Sequence, residues 1–311
     1  MRMWKAAAMG LAAMGLSACN AALDSETTQA ETGTLVDGSA DAVTANISAE
    51  KIAASAALVQ EGKVYRLGLV TGRETPVYGE RSYDVEVFDL GRFGSNNVTG
   101  HDDKITTHMG IGTQIDGLGH IGIDGVHYGD LPASEIMQED GLVQYGAETI
   151  PPIATRGVLI DMARHFGVET MEPLQSFGED DIRAAAEEQG VSIGRGDVVL
   201  FHMGWLEMLD QPEVFVSQQP GLNSDGARYL AELGVVAIGS DSGALESSGG
   251  EEGGVVLPVH ALLLAEYGVF IMEGIDTREL AADQASEFFF VLGAPRFEGA
   301  VQAVVNPLAI R

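Results

Sequence analysis

The chain has 311 residues and a formal net charge of −29, from 17 Lys and Arg against 46 Asp and Glu. Binding to nucleic acid depends on cationic side chains that neutralise phosphates, so no nucleic-acid partner is expected. The sequence contains one cysteine, Cys19. An internal disulfide, a thiolate metal site and catalysis by cysteine are therefore excluded from the region that follows it.

The amino terminus has the pattern of an export signal. Arg2 and Lys5 precede an apolar run over residues 6–16, which is too short for a permanent membrane-spanning helix. The run ends in L-S-A-C, which resembles a bacterial lipobox and implies that Cys19 is lipid-modified. The alternative is an ordinary signal peptide cut after a small residue. We expect residues 1–18 to be a lipoprotein signal peptide and the mature protein to be anchored at the periplasmic face of a bacterial membrane.

A change in composition marks the start of the folded region. Residues 19–48 are rich in Ala, Thr, Ser, Asp and Glu with little hydrophobic periodicity, which predicts a flexible tether. Residues 49–311 contain no comparable break, so we expect one domain with a large core.

Hydrophobic periodicity in this domain predicts an α/β fold in which helices flank a mixed sheet. Strands are predicted at residues 64–70, 83–90, 157–160, 197–202, 235–238, 269–272 and 287–292. Helices are predicted at residues 180–189, 224–233 and 260–267, the second capped by Ser224 or Asp225. A nucleotide cofactor is disfavoured because neither a G-x-G-x-x-G turn between a strand and a helix nor a phosphate-binding G-x-x-x-x-G-K-[ST] loop occurs.

Two distant segments carry the groups that a hydrolytic metal site needs. G-T-Q-I-D-G-L-G-H over residues 112–120 places Asp116 and His120 four residues apart in a glycine-rich turn. Far downstream, His260 begins an apolar helix-like run and Glu273 ends a strand-like one. An unpartnered carboxylate in such apolar surroundings would be costly to bury, so Glu273 needs a metal or a hydrogen-bonded partner.

The first of these segments resembles the signature of the cyclase family, which includes bacterial kynurenine formamidases and isatin hydrolases and usually reads H-x-G-T-H-x-D-x-P-x-H. Further segments are similar to that family in the same order: T-R-G-V-L-I-D at 155–161, G-D-V-V-L-F-H-M-G-W at 196–205, P-G-L at 220–222, G-S-D at 239–241, and finally His260 with Glu273. The resemblance implies a metal-dependent hydrolase with a swivelling β/β/α fold, a dimer or tetramer, that opens an amide bond or lactam-like ring of a small molecule.

The resemblance also implies a role for each matching residue. Asp116 matches a bridging carboxylate ligand, His260 and Glu273 match the late metal ligands, and His120 matches the general acid/base. A proton-transfer role for His120 competes with its being a further ligand or a residue that orients Asp116. For His260, the alternative to ligation is a capping contact at a helix N-terminus.

The chain departs from the family at two motif positions. Gly110 stands where the family has its first motif histidine, and Gln114 stands where it has the second. An amide oxygen is a weaker ligand than imidazole, so a site of Asp116, His260, Glu273 and Gln114 is expected to hold one divalent ion, Mn²⁺ or Zn²⁺. His108 lies two residues before Gly110 and reaches the metal only if the loop shifts; otherwise it is a hydrogen-bonded loop residue.

A few other residues admit two interpretations. Asp241 and Glu246 border a Gly/Ser-rich segment at 247–254 that forms either a lid or wall facing the substrate or a solvated surface loop. His202 and Trp205 belong either to the core or to the substrate contacts. His101, His127 and His165 have no partner that the sequence identifies.

Two other classes of protein compete with the metal-dependent hydrolase. A noncatalytic lipoprotein that binds a small ligand would explain why Gln114 stands in place of a metal-binding histidine. It would not explain why the other matching ligands and His120 are present. A Ser-His-Asp hydrolase is disfavoured because no G-x-S-x-G occurs. Aryl formamides, lactams, other cyclic amides and lactones all suit the hydrolase, so the substrate stays open at this level.

Overall fold

A mixed β-sheet organises the part of the chain that the computed structural model describes, residues 44–250 and 255–311. The strands are β1 (Val64–Arg66), β2 (Tyr83–Phe93), β3 (Val98–Thr107), β4 (Gln114–Asp116), β5 (Val126–His127), β6 (Leu131–Pro132), β7 (Met137–Gln138), β8 (Gly141–Leu142), β9 (Ile153–Asp161), β10 (Ser176–Phe177), β11 (Val198–His202), β12 (Gly221–Leu222), β13 (Ala237–Ser240), β14 (Phe270–Glu273), β15 (Glu287–Leu292), β16 (Gln302–Val304) and β17 (Leu308–Ile310).

Helices connect and cover these strands. They are α1 (Ala49–Ala56), α2 (Ala133–Ile136), α3 (Met162–His165), α4 (Glu179–Gln189), α5 (Pro212–Ser217), α6 (Ser224–Leu233), α7 (Pro258–His260) and α8 (Arg278–Ala282), with 3₁₀ turns at Tyr128–Asp130, Ala147–Thr149 and Trp205–Met208 and a π-helix at Ala261–Tyr267. Within the described ranges, no helix is both long and apolar enough to cross a bilayer.

The large sheet has the strand order β1-β17-β15-β9-β11-β13-β14-β4-β16. The central strands β9, β11, β13 and β14 run parallel, and the strands on either side of them pair antiparallel. Parallel strands require crossover connections, which here include α4 between β9 and β11 and α6 between β11 and β13. The predicted α/β fold, a mixed sheet with flanking helices, is therefore confirmed.

The hydrophobic core lies on both faces of the central strands. Val158, Leu159 and Ile160 follow one another in β9 and are all buried, and the same is true of Val198–Phe201 in β11. Consecutive burial means that both faces are covered, because neighbouring side chains in a strand point to opposite sides. One covering element is α6, which buries Ala227 and Leu230.

Most predicted elements are present, with shifted ends. The strand at 287–292 and the helix at 224–233 have the predicted bounds. The predicted caps of that helix are wrong: Asn223 is the cap, and its side chain accepts a hydrogen bond of 2.9 Å from the backbone N–H of Gly226. The helix predicted at 260–267 begins earlier, at Pro258, and continues from Ala261 as a π-helix.

The predicted strand at 83–90 lies outside the large sheet. It belongs to β2, which pairs with β3 in a separate two-stranded ribbon. Both strands are largely exposed, and the exposed apolar side chains include Phe88 and Ile105. Periodicity identifies a strand but not its partner. The strand β3 was not predicted because Asp and Gly disfavour strands and its only large apolar residues, Val98 and Ile105, do not alternate.

The described region begins just before the predicted domain boundary. Asn46 donates a hydrogen bond of 3.0 Å to the carbonyl of Gly234, and Ser48 caps α1. In α1, Lys51 forms an ion pair with the fully buried Asp197. The signal peptide, Cys19 and the tether up to residue 43 lie outside the described residues, so the proposed boundaries remain predictions.

Candidate active site

The candidate site lies on one face of the sheet, where β4 pairs with β14 on one side and β16 on the other. Gln114 stands opposite Glu273, and Asp116 stands opposite Gln302. Residues in direct register share a face, as do residues two apart in a strand. The motif segment at 114–116 is thus a fully buried strand rather than the glycine-rich turn that the sequence suggested, and only the part from Gly117 onward is a turn.

Three predicted metal ligands meet at this face. One ligand atom each from Asp116, His260 and Glu273 lies within 4.8 Å of the others. His260 Nε2 is 3.5 Å from Asp116 Oδ2 and 3.1 Å from Glu273 Oε1. All three residues are buried, with exposed fractions of 0% to 4%. The fold therefore brings together side chains from β4, α7 and β14 that are far apart in the sequence.

The donor set fits a divalent cation. Asp116 Oδ2 is buried and accepts no hydrogen bond of acceptable geometry among the described residues, His260 Nε2 lying 3.5 Å away, although a buried carboxylate oxygen normally accepts one. Carboxylate oxygens and imidazole nitrogens both bind zinc, and mixed oxygen and nitrogen donors also suit manganese. A cation between the three side chains would give the orphaned oxygen its partner and offset the concentrated negative charge.

The electrostatics of the cluster show what a cation would balance. Burial raises the pKa of Glu273, the charge of Asp116 adds to this, and the pKa reaches about 7. Burial also opposes ionisation of Asp116, but His260 and the imidazole of His120 outweigh it and lower the pKa. Burial disfavours a charged His260, yet its carboxylate neighbours raise the pKa of this histidine well above the ordinary value.

His120 lies at the edge of the cluster nearest to solvent. Its Nε2 is 3.9 Å from Asp116 Oδ2, and its ring centroid is 6.2 Å from that of His260. The side chain is 20% exposed, against 0% for Asp116. Burial lowers the pKa of His120, so the imidazole is neutral near pH 7 and able to accept a proton. This geometry suits proton transfer, while the roles of further ligand or orienting residue stay open.

Gln114 and His108 are the two further residues that the sequence offered as candidate metal ligands, and both make hydrogen bonds. The amide nitrogen of Gln114 donates a hydrogen bond to Glu273 Oε2, so Gln114 holds a carboxylate of the cluster. Its role as a fourth ligand remains a prediction. His108 Nδ1 accepts a hydrogen bond of 2.9 Å from the backbone of Ser82, which matches the interpretation of a loop histidine.

Glu246 is the principal site residue that sequence reasoning missed. It was placed beside a possible surface loop, but it is buried and accepts the hydrogen of His260 Nδ1. Its carboxylate also accepts hydrogen bonds from the backbone N–H groups of Val259, at 3.2 Å, and His260, at 3.1 Å. The capping contact proposed for His260 is thus made by Glu246, while the imidazole faces the cluster. No local spacing signals this contact, because 14 residues separate the pair.

A pocket of about 600 Å³ opens onto the cluster. His120, Glu246, His260 and Glu273 line it together with further polar side chains and an apolar wall that sequence reasoning did not place, including Tyr78, Arg81, Gln219, Gln302, Val216 and residues 255–258. Gln302 Nε2 donates a hydrogen bond of 2.6 Å to Asp116 Oδ1. These residues come from loops, from α5 and the start of α7, and from β16, and no local pattern links them to the motif.

The other candidate residues support the fold around the pocket. Asp241 is buried and accepts hydrogen bonds from the backbone N–H groups of Met203, at 2.9 Å, and Trp205, at 3.2 Å. Trp205 is fully buried, which assigns it to the core. His202 Nδ1 lies 2.8 Å from Thr277 Oγ1 and 3.4 Å from Asp241.

The three unassigned histidines make no hydrogen bond to Asp116, His260 or Glu273 among the described residues. His101 is exposed on β3. His127 contacts the carbonyl of Leu118, and His165 contacts Glu188. Of the loop predicted at 247–254, residues 251–254 lie outside the described residues.

The chain belongs to the cyclase family, whose model matches residues 24–247. This confirms the family that the motif suggested. The matched range ends before His260 and Glu273, so the place of these two residues in the site comes from the fold. No curated protein sequence matches the chain.

Similar solved structures confirm the cyclase-type fold. A novel cyclase is 26% identical with a TM-score of 0.79, over 86% of this chain and 95% of the other. Isatin hydrolase A from Ralstonia solanacearum is 16% identical with a TM-score of 0.62, over 91% and 100% of the two chains. A potential metal-dependent hydrolase with cyclase activity is 21% identical with a TM-score of 0.52, over 79% and 98%. The chain is thus a member of an enzyme family whose structural neighbours include metal-dependent hydrolases.

Proposed function

We propose that the protein is a metal-dependent hydrolase that cleaves an amide, lactam or lactone bond of a small molecule, in the manner of an arylformamidase. The observation that carries this proposal is the orphaned Asp116 Oδ2, which faces His260 Nε2 in a buried cluster that opens onto a pocket. In a cluster with a purely structural role, a buried carboxylate oxygen would accept a hydrogen bond. In a cation site, the oxygen is left free to bind the ion.

Asp116, His260 and Glu273 are the proposed ligands of one divalent ion, Mn²⁺ or Zn²⁺. When bound, the ion supplies Lewis-acid chemistry that lowers the pKa of water and polarises an acyl oxygen. Three neighbours hold the ligands in place: Gln114 donates to Glu273, Gln302 donates to Asp116, and Glu246 accepts from His260. Gln114 is the candidate for a fourth ligand.

His120 is the proposed general base and acid. Its neutral imidazole accepts a proton at Nε2 from the water that attacks the acyl carbon. The bond from that carbon to nitrogen or oxygen then breaks, and the same Nε2 returns the proton to the leaving atom. Its position between Asp116 and the pocket supports both transfers.

Metal removal and reloading test this function. The full chain is treated with a chelator, reloaded with Mn²⁺ or Zn²⁺, and assayed on an aryl formamide, a lactam and a lactone. We expect hydrolysis of at least one of these to disappear with the metal and to return on reloading. Unchanged hydrolysis by fully metal-free protein would refute the mechanism. His260→Ala should lose both the metal and hydrolysis, whereas the control His165→Ala, whose imidazole contacts Glu188 instead of the cluster, should keep both.

We further propose that the protein is exported and lipid-anchored through Cys19, and that it assembles as a homodimer or homotetramer. The lipobox-like sequence supports the first proposal, and the family resemblance supports the second.

Growth with a fatty-acid analogue should label the parent and leave a Cys19→Ala variant unlabelled; equal labelling of both would refute the anchor. Sedimentation of the Cys19→Ala variant tests the assembly, and a monomer at all concentrations would exclude it.

A further inference from the structure

The space beside Gly110 is filled by a guanidinium group. A Cβ atom built on Gly110 would lie 2.9 Å from Arg81 Nη1 and 2.7 Å from Gln302 Oε1. Both contacts are shorter than real Cβ atoms make, so any larger residue at position 110 would have to displace these side chains. Gln302 also donates a hydrogen bond from its amide nitrogen to Asp116. The Gln302 side chain therefore lies between Arg81 and the proposed metal ligand Asp116.

Within the described part of the chain, Arg81 is held there without a carboxylate at ion-pair distance. Its Nη1 donates a hydrogen bond of 2.7 Å to the carbonyl of Gly110, and its Cζ lies 5.8 Å from the centre of the Tyr78 ring. Among residues 44–250 and 255–311, no carboxylate forms an ion pair with Arg81, although the chain has 46 acidic residues against 17 basic ones. A guanidinium has five N–H donors, so most of those on Arg81 remain available.

The available donors belong to a side chain that lines the pocket. Arg81 shares this pocket with His120, Glu246 and Glu273. The two carboxylates repel an anionic ligand, so such a ligand needs a compensating positive charge within reach. A guanidinium meets carboxylate oxygens in a planar, two-pronged geometry that no other side chain provides. The apolar wall at residues 255–258 suits the rest of a small molecule.

We propose that Arg81 binds an anionic oxygen of the substrate, which is therefore a small acyl compound with an apolar body and a carboxylate or an oxygen that becomes anionic during hydrolysis. This inference rests on the proposed function and names its substrate class. In either case, an anionic oxygen of the substrate accepts hydrogen bonds from the Arg81 guanidinium. It comes either from a carboxylate that the substrate already carries or from the acyl carbon at which the bond breaks.

Binding of benzoate and of neutral benzamide to the full chain tests the proposal. Titration calorimetry is run on the parent, on Arg81→Gln and on the control Arg73→Gln, whose arginine pairs with the exposed Asp84. We expect Arg81→Gln to weaken benzoate binding about tenfold or more, as for loss of a charged hydrogen bond, with benzamide and the Arg73 control unaffected. Equal benzoate affinity in parent and Arg81→Gln, or no benzoate binding to the parent, overturns the proposal.

Gly110→Ala provides a second and independent variant. The φ angle at Gly110 is not in the left-handed region, so alanine is tolerated by the backbone and acts only by its Cβ contact with Arg81 and Gln302. Displacement of the guanidinium should weaken benzoate binding in this variant as well. Unchanged benzoate affinity, with a thermal midpoint equal to that of the parent, would count against a role for the Arg81 position.

The metal dependence of benzoate binding separates the two sources of the anionic oxygen. If Mn²⁺ strengthens benzoate binding and Arg81→Gln removes the gain, the oxygen belongs to the reacting acyl group. If binding depends on Arg81 with or without Mn²⁺, the carboxylate is one that the substrate carries elsewhere; both results support the proposal. Elemental analysis of the same samples reports on the proposed function alone, so a chain without metal can still show the Arg81 effect.

Discussion

Glu246 and His260 form a buried hydrogen bond from the imidazole Nδ1 to the carboxylate, which leaves His260 Nε2 facing Asp116 and Glu273. The carboxylate thereby fixes both the tautomer and the orientation of the ring, and it adds basicity to the nitrogen that points at the cluster. Glu246 also binds the backbone at the start of α7. The position of His260 is thus set by a residue from the loop after β13.

Replacement of this positioning residue should weaken the metal site. We expect Glu246→Gln to lower metal affinity by about 10- to 100-fold, because an amide carries no charge to raise the basicity of the imidazole and has only one acceptor oxygen for the donors that the two carboxylate oxygens now bind. Equilibrium dialysis against Mn²⁺ or Zn²⁺ measures the change. The control is Glu139→Gln, at an exposed position. Equal metal affinity in Glu246→Gln and the parent would show that Glu246 stabilises the start of α7 through its backbone hydrogen bonds and does not position the imidazole for metal binding.

His120→Gln should separate metal binding from turnover. Loss of a general acid/base costs about 10²- to 10⁴-fold in kcat, while the three proposed ligands remain in place and metal content stays at the parental value. Steady-state kinetics with elemental analysis on the same preparation make the comparison. A parallel loss of bound metal would instead identify His120 as a ligand, and full turnover would remove it from the mechanism.

Much of the fold could be predicted from the sequence because burial leaves a periodic pattern. Residues 287–292 and 224–233 have the predicted bounds, and the family motif identified the residues that now lie together. The contributions of Glu246 and Arg81 could not be predicted in this way. Their importance arises from contacts across the fold, with His260 and with the backbone of Gly110, and no local spacing encodes such contacts.

The turn assigned to the motif shows the same limit. Gln114–Asp116 is a buried strand whose partners are β14 and β16, both more than 150 residues away. Three residues are too few to show a strand period. The surrounding glycines pointed to a turn, and only the long-range pairing overrides that local signal.

His202 should make the stability of the fold depend on pH. Burial alone would lower the pKa of His202, but the hydrogen bond and charge of Asp241 and of other nearby aspartates outweigh it and raise the pKa. A raised folded-state pKa contributes stability that is fully present below the ordinary value of 6.5 and is lost as pH rises through the folded value.

The pH dependence can be measured by urea unfolding of the parent and of His202→Gln. We expect the destabilisation caused by the substitution to be larger at about pH 6 than at about pH 9, because the charged imidazole contributes only at the lower pH. His101→Gln, on the exposed strand β3, is the control. The same difference at both pH values would mean that His202 contributes only through packing and its contact with Thr277.

The ion pair between Arg156 and Asp197 should be a major stabilising contact. Asp197 is fully buried and accepts hydrogen bonds from Arg156, at 3.1 Å to Nε, and from the backbone of Gly194, at 2.8 Å. Arg156→Met leaves the ion pair of that carboxylate with Lys51 but removes two charged hydrogen bonds from it, at a cost of about 2 kcal/mol in the free energy of unfolding. Arg73→Met removes an exposed, solvent-screened pair and should destabilise the fold much less. Similar losses in the two variants would contradict this ranking.

The number of metal ions per chain, in the parent and in Asp116→Asn, tests the central claim most directly. Elemental analysis of the purified full chain should find about one divalent ion per parent chain, as expected for three protein ligands with an open position. The Asp116→Asn variant should retain markedly less, because the orphaned carboxylate oxygen is replaced by a neutral amide. A parent chain without divalent metal after growth and purification in Mn²⁺ and Zn²⁺, or equal metal in parent and variant, would contradict the account.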